Sequence, residues 1–255
     1  MKKKYIILSF DDGRKDNYEI VLPLLKKYDI TASFHIVTGF SDRTWKGQFE
    51  TMTVDNVKEL AQAGFDISSH SDRHINEEND LRTSLQKLQL WGIDKKPLIF
   101  SSPNSDIYEG NINEYLDMLR NNQIEYVRSG VQIRRNGFSY LVLYILQLFI
   151  KSKQLYYFLN KSNIMKIDRK INCEGINIIK SVSVKRQNTF EQLQYLINKL
   201  QLDDVVCFMF HSIRSKKDLG KDNYAFSSEN FEALLNHLKY DEQIKVLNLS
   251  EYVSL

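Results

Sequence analysis

Short apolar segments alternate with segments of helical periodicity along most of the chain, and this alternation constrains the fold more than any other feature. The apolar segments are rich in β-branched and aromatic residues, which is typical of buried strands. Strands are predicted at 5–10, 31–37, 65–69, 98–100, 124–127, 177–184, 205–210 and 244–247. Helices are predicted between most of them, at 16–28, 53–63, 80–91, 112–120, 189–200 and 229–239.

Strands that alternate with helices in this way form a parallel sheet. About seven strand–helix pairs are compatible with a closed barrel and equally with an open, doubly wound sheet. The length of 255 residues and the 42% hydrophobic content favour one α/β domain with a sizeable core, spanning residues 1–255.

An irregular insertion at 134–175 interrupts the alternation. Within it, residues 138–150 are almost wholly apolar, but a bilayer span needs about 20 residues. The run is compatible with a buried helix, with a contact between subunits, or with an interfacial helix, because lysines and aromatic residues follow it. Peripheral membrane contact through 138–158 is therefore one expectation, and the oligomeric state is left open.

Charge and cysteine content exclude several classes of protein. A net charge of +3, dispersed along the chain, argues against binding of nucleic acid. Two cysteines do not form a disulfide framework, and Cys207 lies in an apolar segment typical of a buried thiol.

The apolar run after the N-terminal lysines is too short for a signal peptide, so a cytoplasmic location is expected, at the inner face of the membrane if the insertion binds lipid.

Titratable side chains follow three of the predicted strands directly. The run SFDDG at residues 9–13 ends in the carboxylates of Asp11 and Asp12, and Gly13 permits a sharp turn. His70 and His74 follow the third strand, and His211 follows the strand at 205–210. Each of these features is ordinary by itself, since a lone histidine is more often structural.

Their common position is what indicates a site. The carboxyl ends of parallel strands share one face, where active sites form. Asp12, His70 and His74 offer two nitrogens and one oxygen, which leaves a coordination position open, as in hydrolytic rather than structural metal sites. His211 is suited to proton transfer near neutral pH.

These motifs resemble those of the polysaccharide deacetylases, the carbohydrate esterases with a NodB-homology domain. The run at 9–13 is similar to the family's first motif, residues 64–74 to its second, and residues 205–211 to its last. The resemblance covers 4–130 and 175–255 and is poor between them.

The resemblance implies a distorted (β/α) barrel of about seven strands that removes an N-acetyl group from a sugar. It implies that Asp12, His70 and His74 bind one divalent metal ion, with zinc expected. Asp11 would be the catalytic base and His211 the general acid.

Two departures from the family pattern concern the substrate side of the site. Ser101 stands where the third motif usually carries an arginine that orients the base, and the Asp-Trp of the fourth motif is not visible. Pro103, Asn104 and Arg128 are the residues predicted there, with the backbone N–H of Asn104 as a donor to an oxyanion and Arg128 in a position to compensate.

Two alternatives keep the same motifs. A deformylase or cyclic-amide hydrolase would use the same metal site on a different bond. A degenerate barrel that binds a glycan without catalysis would also explain the missing arginine. A lipid-linked or nucleotide-linked sugar is the expected substrate of a cytoplasmic deacetylase.

Overall fold

A closed ring of seven parallel strands forms the centre of the protein in the computed structural model. The structure describes residues 2–45, 48–94, 96–130, 141–142, 145–146, 151–220 and 222–255. The strands, in chain order, are β1 (Lys4–Phe10), β2 (Ser33–Ile36), β3 (Thr44–Trp45), β4 (Phe49–Glu50), β5 (Asp66–Ser69), β6 (Leu98–Ser101), β7 (Ile124–Gly130), β8 (Met165–Lys166), β9 (Ile171–Cys173), β10 (Ile176–Ser183), β11 (Asp204–Phe210), β12 (Ser212–Arg214), β13 (Ala225–Ser227) and β14 (Ile244–Leu247).

The ring runs in the order β1, β2, β5, β6, β7, β10, β11 and closes between β11 and β1. This confirms the predicted distorted (β/α) barrel and excludes the open sheet. The distortion lies at β1, where residues 4–7 pair with β14 and residues 9–10 pair with β2. The last predicted strand, β14, therefore lies outside the ring, as an eighth strand that pairs with the first half of β1.

Helices cover the outside of the ring, as the alternation predicts. They are α1 (Leu22–Tyr28), α2 (Val54–Gln62), α3 (Glu78–Leu90), α4 (Leu116–Asn121), α5 (Lys153–Asn160), α6 (Phe190–Lys199), α7 (Ser228–Tyr240) and α8 (Leu249–Val253). Thr53 begins α2 with a capping box, in which its side chain accepts from the N–H of Asn56 and the Asn56 side chain accepts in return. A short π-helix, Asn17–Val21, precedes α1 where one continuous helix was predicted.

Side chains of the ring alternate between two environments. On β1, Ile6, Leu8 and Phe10 point outward and join the apolar layer beneath the helices, whereas Ile7 points inward to Cys207 and its neighbours. Leu249 and Tyr252 of α8 belong to the same inner cluster and fill one end of the barrel. The apolar interior thus closes the amino-terminal end and leaves the other end for polar groups.

The insertion contributes secondary structure that the sequence did not predict. Within 151–175, α5 packs beside α6, and β8 and β9 extend the sheet as antiparallel partners of β11 and β10. Most of the apolar run 138–150 lies outside the described residues. In the part of the chain that the structure describes, no helix has the length and apolar character required to cross a membrane.

Candidate metal and catalytic site

A polar layer occupies the inner face of the barrel toward the carboxyl ends of the strands. His35 on β2 is fully buried, with Nε2 3.0 Å from Ser9 Oγ and Nδ1 hydrogen-bonded to Ser68 Oγ. Because side chains alternate along a strand, the next inward positions after Ser9 and Ser68 are Asp11 and His70. The same parity places His211 after Met209 on β11, so strand geometry brings the predicted residues to one end of the barrel.

The backbone at Asp12 turns both carboxylates toward one point. Asp12 and Gly13 have φ values of +74° and +67°, in the left-handed region that a turn of this kind requires. As a result, His70 Nε2 lies 3.9 Å from Asp11 Oδ2 and 3.7 Å from Asp12 Oδ1. The two adjacent aspartates therefore converge, although neighbours on a regular strand point apart.

Asp12, His70 and His74 are brought together as predicted. One ligand atom from each lies within 4.8 Å of the others, and His74 Nε2 is 3.9 Å from Asp12 Oδ1. Ligand atoms at zinc distances of about 2.0–2.2 Å would lie about 3.3–3.6 Å apart in a tetrahedral site. The arrangement fits a divalent ion with only small movements of these three side chains.

Hydrogen bonding and burial keep the ligands in the forms that bind metal. His70 Nδ1 lies 2.8 Å from the carbonyl oxygen of Ser101, which favours a proton on Nδ1 and a lone pair on Nε2. Burial lowers the pKa of His70 to about 4, although Asp12 opposes the shift. Burial alone would raise the pKa of Asp12, but the charges of His211 and Arg14 outweigh it and hold that pKa at about 2.

The buried guanidinium of Arg128 binds the carboxylate of Asp11. Arg128 on β7 is fully buried, and its Nη2 lies 2.5 Å from Asp11 Oδ2 and also donates to Ser101 Oγ. Its Nη1 contacts Ser181 Oγ at 3.3 Å and the sulfur of Met209. Arg128 is not among the described residues that line the cleft, so it contacts Asp11 from behind the cleft wall.

His211 lies on the opposite side of the cleft from the second motif. Its backbone carbonyl accepts from Asn17 Nδ2 at 2.8 Å, and its ring lies 4.7 Å from the ring of Tyr224. Burial lowers the pKa of His211 to about 4, with Asp12 and Asp11 opposing. Among the described residues, the buried Nδ1 has no hydrogen-bond partner.

A cleft of about 850 Å³ opens over these groups. Asn104 is exposed at its edge with a φ of +54°, and Pro103 is buried beside it and accepts from Asn76 Nδ2 at 3.2 Å. The cleft brings together every predicted site residue except Pro103 and Arg128, which lie behind its lining. The described residues that line the cleft are Asp11, Asp12, Arg14, Trp45, Gln48, Phe49, His70, His74, Ser102, Asn104, Ser105, Ser183, Lys185, Met209, His211, Arg214, Asp222, Asn223 and Tyr224.

Sequence reasoning missed the residues that surround the predicted ones. Trp45 from the β3–β4 hairpin packs edge-on against His74, with ring centroids 4.9 Å apart. Arg14 follows the first motif directly and pairs with Asp12, which its position in the sequence could have suggested. Asp222 and Tyr224 carried no comparable signal, since they lie in a loop outside the three motifs.

The sequence matches known proteins in its first third. Residues 1–91 match the model of the polysaccharide deacetylase family. A Bacillus subtilis (strain 168) protein named as a polysaccharide deacetylase, YxkH, is 35% identical over 88 residues, which are 34% of this chain and 29% of that protein. The match thus spans less than a third of the relative's length.

The whole fold matches solved structures at low sequence identity. The Xyl-CE4 domain of a multidomain xylanase from the hindgut metagenome of Trinervitermes trinervoides aligns over 100% of this chain and 91% of its own, with 13% identity and a TM-score of 0.53. A family 4 acetyl xylan esterase from Clostridium thermocellum, solved with a cobalt ion, aligns over 98% and 90%, with 16% identity and a TM-score of 0.53. The resemblance expected from the motifs is therefore confirmed over residues 1–91, which match the polysaccharide deacetylase family model, and the solved structures show a shared fold over the whole barrel.

Proposed function

We propose that the protein is a metal-dependent hydrolase that removes an N-acetyl group from an amino sugar. The observation that carries this proposal is the convergence of Asp11 with the triad of Asp12, His70 and His74 in one cleft, with Asp11 Oδ2 3.9 Å from a ligand nitrogen. A candidate base beside three ligands and an open position is the arrangement of a hydrolytic metal site. The family match over residues 1–91 points to the same chemistry.

Asp12, His70 and His74 would hold the ion. A divalent metal bound there, with zinc as the proposed ion, supplies a Lewis acid for the acyl oxygen and lowers the pKa of a water toward about 7. Asp11 accepts a proton from the attacking water as the oxygen of that water bonds to the acyl carbon. Arg128 holds both oxygens of Asp11 in place, so the carboxylate presents a fixed edge to the cleft.

His211 and Asn104 complete the proposed reaction. The backbone N–H of Asn104 stabilises the negative charge that develops on the acyl oxygen. His211 gives a proton to the nitrogen as the C–N bond breaks. Asp11 then releases the proton that it took from the water and His211 regains one, by exchange with solvent, so the protons balance over one turnover. The products are acetate and the free amine of the sugar, with one water consumed. Pro103 fixes the turn that presents Asn104.

Acetate release from N-acetylglucosamine oligomers, measured beside release from formylated and cyclic amides, tests the proposed reaction. We expect acetate from the zinc-loaded wild type and a loss of at least about 10²-fold in Asp11→Asn. The variant should bind metal as the wild type does, which separates loss of the base from loss of the site. Normal turnover by Asp11→Asn would overturn the assignment of the base.

Two other results would select the alternatives. Formate or ring-opened product in place of acetate would indicate the deformylase or cyclic-amide activity. Binding of the oligomers without any product, from metal-loaded protein, would indicate a non-catalytic barrel.

A lipid-linked sugar and peripheral membrane contact belong to the same proposal. The described side chains of the apolar run are partly exposed, with Leu141 at 40% and Ile145 at 45%, and Phe158 on α5 is 52% exposed beside Lys161. Exposed apolar side chains flanked by lysines suit the surface of an anionic bilayer. Co-sedimentation with vesicles that contain phosphatidylglycerol is expected, and its absence would contradict the membrane contact. A cytoplasmic location stays a prediction.

A further inference from the structure

Arg14 joins two parts of the site that the sequence places far apart. It lies in the turn after β1 and is 4% exposed, although arginine is rarely buried without partners. Its guanidinium carbon lies 3.9 Å from the centre of the Phe49 ring, and its backbone forms a bridge with Thr51. The β3–β4 hairpin therefore covers Arg14 and restricts its side chain to one direction.

Two of its nitrogens contact one oxygen of the candidate ligand. Arg14 Nε donates to Asp12 Oδ2 at 3.0 Å, and Nη2 lies 2.9 Å from the same atom. The other oxygen, Asp12 Oδ1, faces His70 and His74. The guanidinium thus occupies Oδ2 and leaves Asp12 one oxygen for a metal, which keeps further coordination positions open.

The third nitrogen reaches the wall of the cleft that carries the proposed acid. Arg14 Nη1 donates to Asp222 Oδ2 at 2.6 Å. Asp222 Oδ1 in turn accepts from the backbone N–H of Tyr224 at 2.9 Å, and the ring of Tyr224 packs against His211. The contacts form one chain from the metal ligand through Arg14 and Asp222 to the residue beside His211.

We propose that Arg14 is a positioning residue that fixes Asp12 as a one-oxygen metal ligand and couples it, through Asp222, to the wall that carries His211. The planar guanidinium meets Asp12 through Nε and Nη2 and Asp222 through Nη1, whereas a lysine has one nitrogen for both carboxylates, so we expect lysine to be a poor replacement. The inference rests on the proposed metal site but requires no particular substrate.

Calorimetric titration with Zn²⁺ tests it in four variants of the full chain: Arg14→Met, Arg14→Lys, Asp222→Asn and Arg14→Met/Asp222→Asn. Replacement of a residue that hydrogen-bonds to a metal ligand typically weakens metal affinity by about 10–100-fold. We expect a Kd about 10-fold or more weaker than wild type in both Arg14 variants. A purely electrostatic role predicts the reverse for Arg14→Met, since removal of a positive charge would strengthen cation binding.

Asp222→Asn separates the coupling from charge and from folding. Asp222 touches no proposed ligand, and its side chain is 20% exposed, so the substitution is compatible with the fold. We expect weaker Zn²⁺ binding in the wild-type background and no further weakening in the Arg14→Met background. Equal effects of Asp222→Asn in both backgrounds, or wild-type affinity in Arg14→Lys, would overturn the proposal.

The outcomes also distinguish this inference from the proposed function. Wild-type protein that binds no Zn²⁺ would overturn the metal site and the role of Arg14 together. Wild-type protein that binds Zn²⁺, with unchanged affinity in Asp222→Asn, would overturn the coupling alone and leave the proposed hydrolase intact.

Discussion

Arg128 Nη2 lies 2.5 Å from Asp11 Oδ2, and the two side chains, 117 residues apart in sequence, are both buried. The arginine comes from β7, whereas Ser101 on β6 stands where the family's third motif carries one. Ser101 Oγ instead accepts a hydrogen bond from the same guanidinium nitrogen. The missing motif arginine therefore has a counterpart on the next strand of the ring, aimed at the same carboxylate.

Arg128→Met should destabilise the protein strongly, because it leaves the Asp11 carboxylate buried without its cation. Breaking one partner of a buried pair costs about 3–5 kcal/mol, whereas removing both charges costs much less. The free energy of unfolding in urea should therefore recover in Arg128→Met/Asp11→Asn. A double variant as unstable as Arg128→Met would show that Arg128 acts by filling space and not by pairing with Asp11.

His70→Ala and His74→Ala should each abolish stoichiometric metal binding, because two protein ligands hold an ion poorly. Mass spectrometry of the purified proteins should find about one divalent ion in the wild type and little in either variant. His237→Ala on α7 is the matched control, since this histidine lies away from the cleft. Equal metal content in all four proteins would place the ion elsewhere.

Gly39→Ala should displace the loop that carries the two histidine ligands. A Cβ at Gly39 would lie 2.5 Å from the carbonyl oxygen of Asp72, and the Gly39 N–H donates to that same oxygen at 2.8 Å. Overpacking of this kind costs about 1–3 kcal/mol. We expect lower thermal stability together with weaker Zn²⁺ binding.

Gly92→Ala provides the comparison for that variant. Gly92 has a φ of +81°, none of the described atoms lies within 4 Å of a Cβ built there, and it follows α3, away from the cleft. Alanine there should cost about 1 kcal/mol through backbone strain and leave metal affinity unchanged. A similar loss of Zn²⁺ affinity in both glycine variants would mean that affinity follows global stability.

His35 should make the protein less stable in mild acid. Burial lowers the pKa of His35 well below 6.5, and the charge of Arg128 lowers it further. Below about pH 6.5 the unfolded chain binds a proton that the folded chain does not, so stability falls as the pH falls. Between about pH 7.5 and pH 5.5 one such histidine contributes a loss of about 1.4 kcal/mol.

Unfolding in urea at both pH values, with chelator present, measures this effect in wild type and in His35→Gln. The loss between the two pH values should be smaller in the variant by about the contribution of one histidine. The pH dependence of stability that remains in the variant should come from His70 and His211, whose pKa values are lowered to about 4. An identical slope in His35→Gln would show that His35 is already protonated, or titrates normally, in the folded barrel.

Local patterns were sufficient for the seven strands of the ring, for most of the helices around it and for the residues that converge in the cleft. The apolar run before Asp11 predicted β1 because a buried strand needs consecutive apolar residues, and Thr53 predicted the start of α2 because it can accept from the helix N–H groups. The spacing of His70 and His74 predicted a shared ligand role. All of these signals act over a few residues, so they can be read without the fold.

Contacts between distant strands required the tertiary structure. Nothing near Arg128 in the sequence indicates that β7 lies three strands from β1 around the ring and presents a guanidinium to Asp11, since strand order is set by packing of the whole ring. The same holds for Asp222, which meets Arg14 across 208 residues. Sequence periodicity determined which residues point into the barrel, and closure of the barrel decided which of them meet.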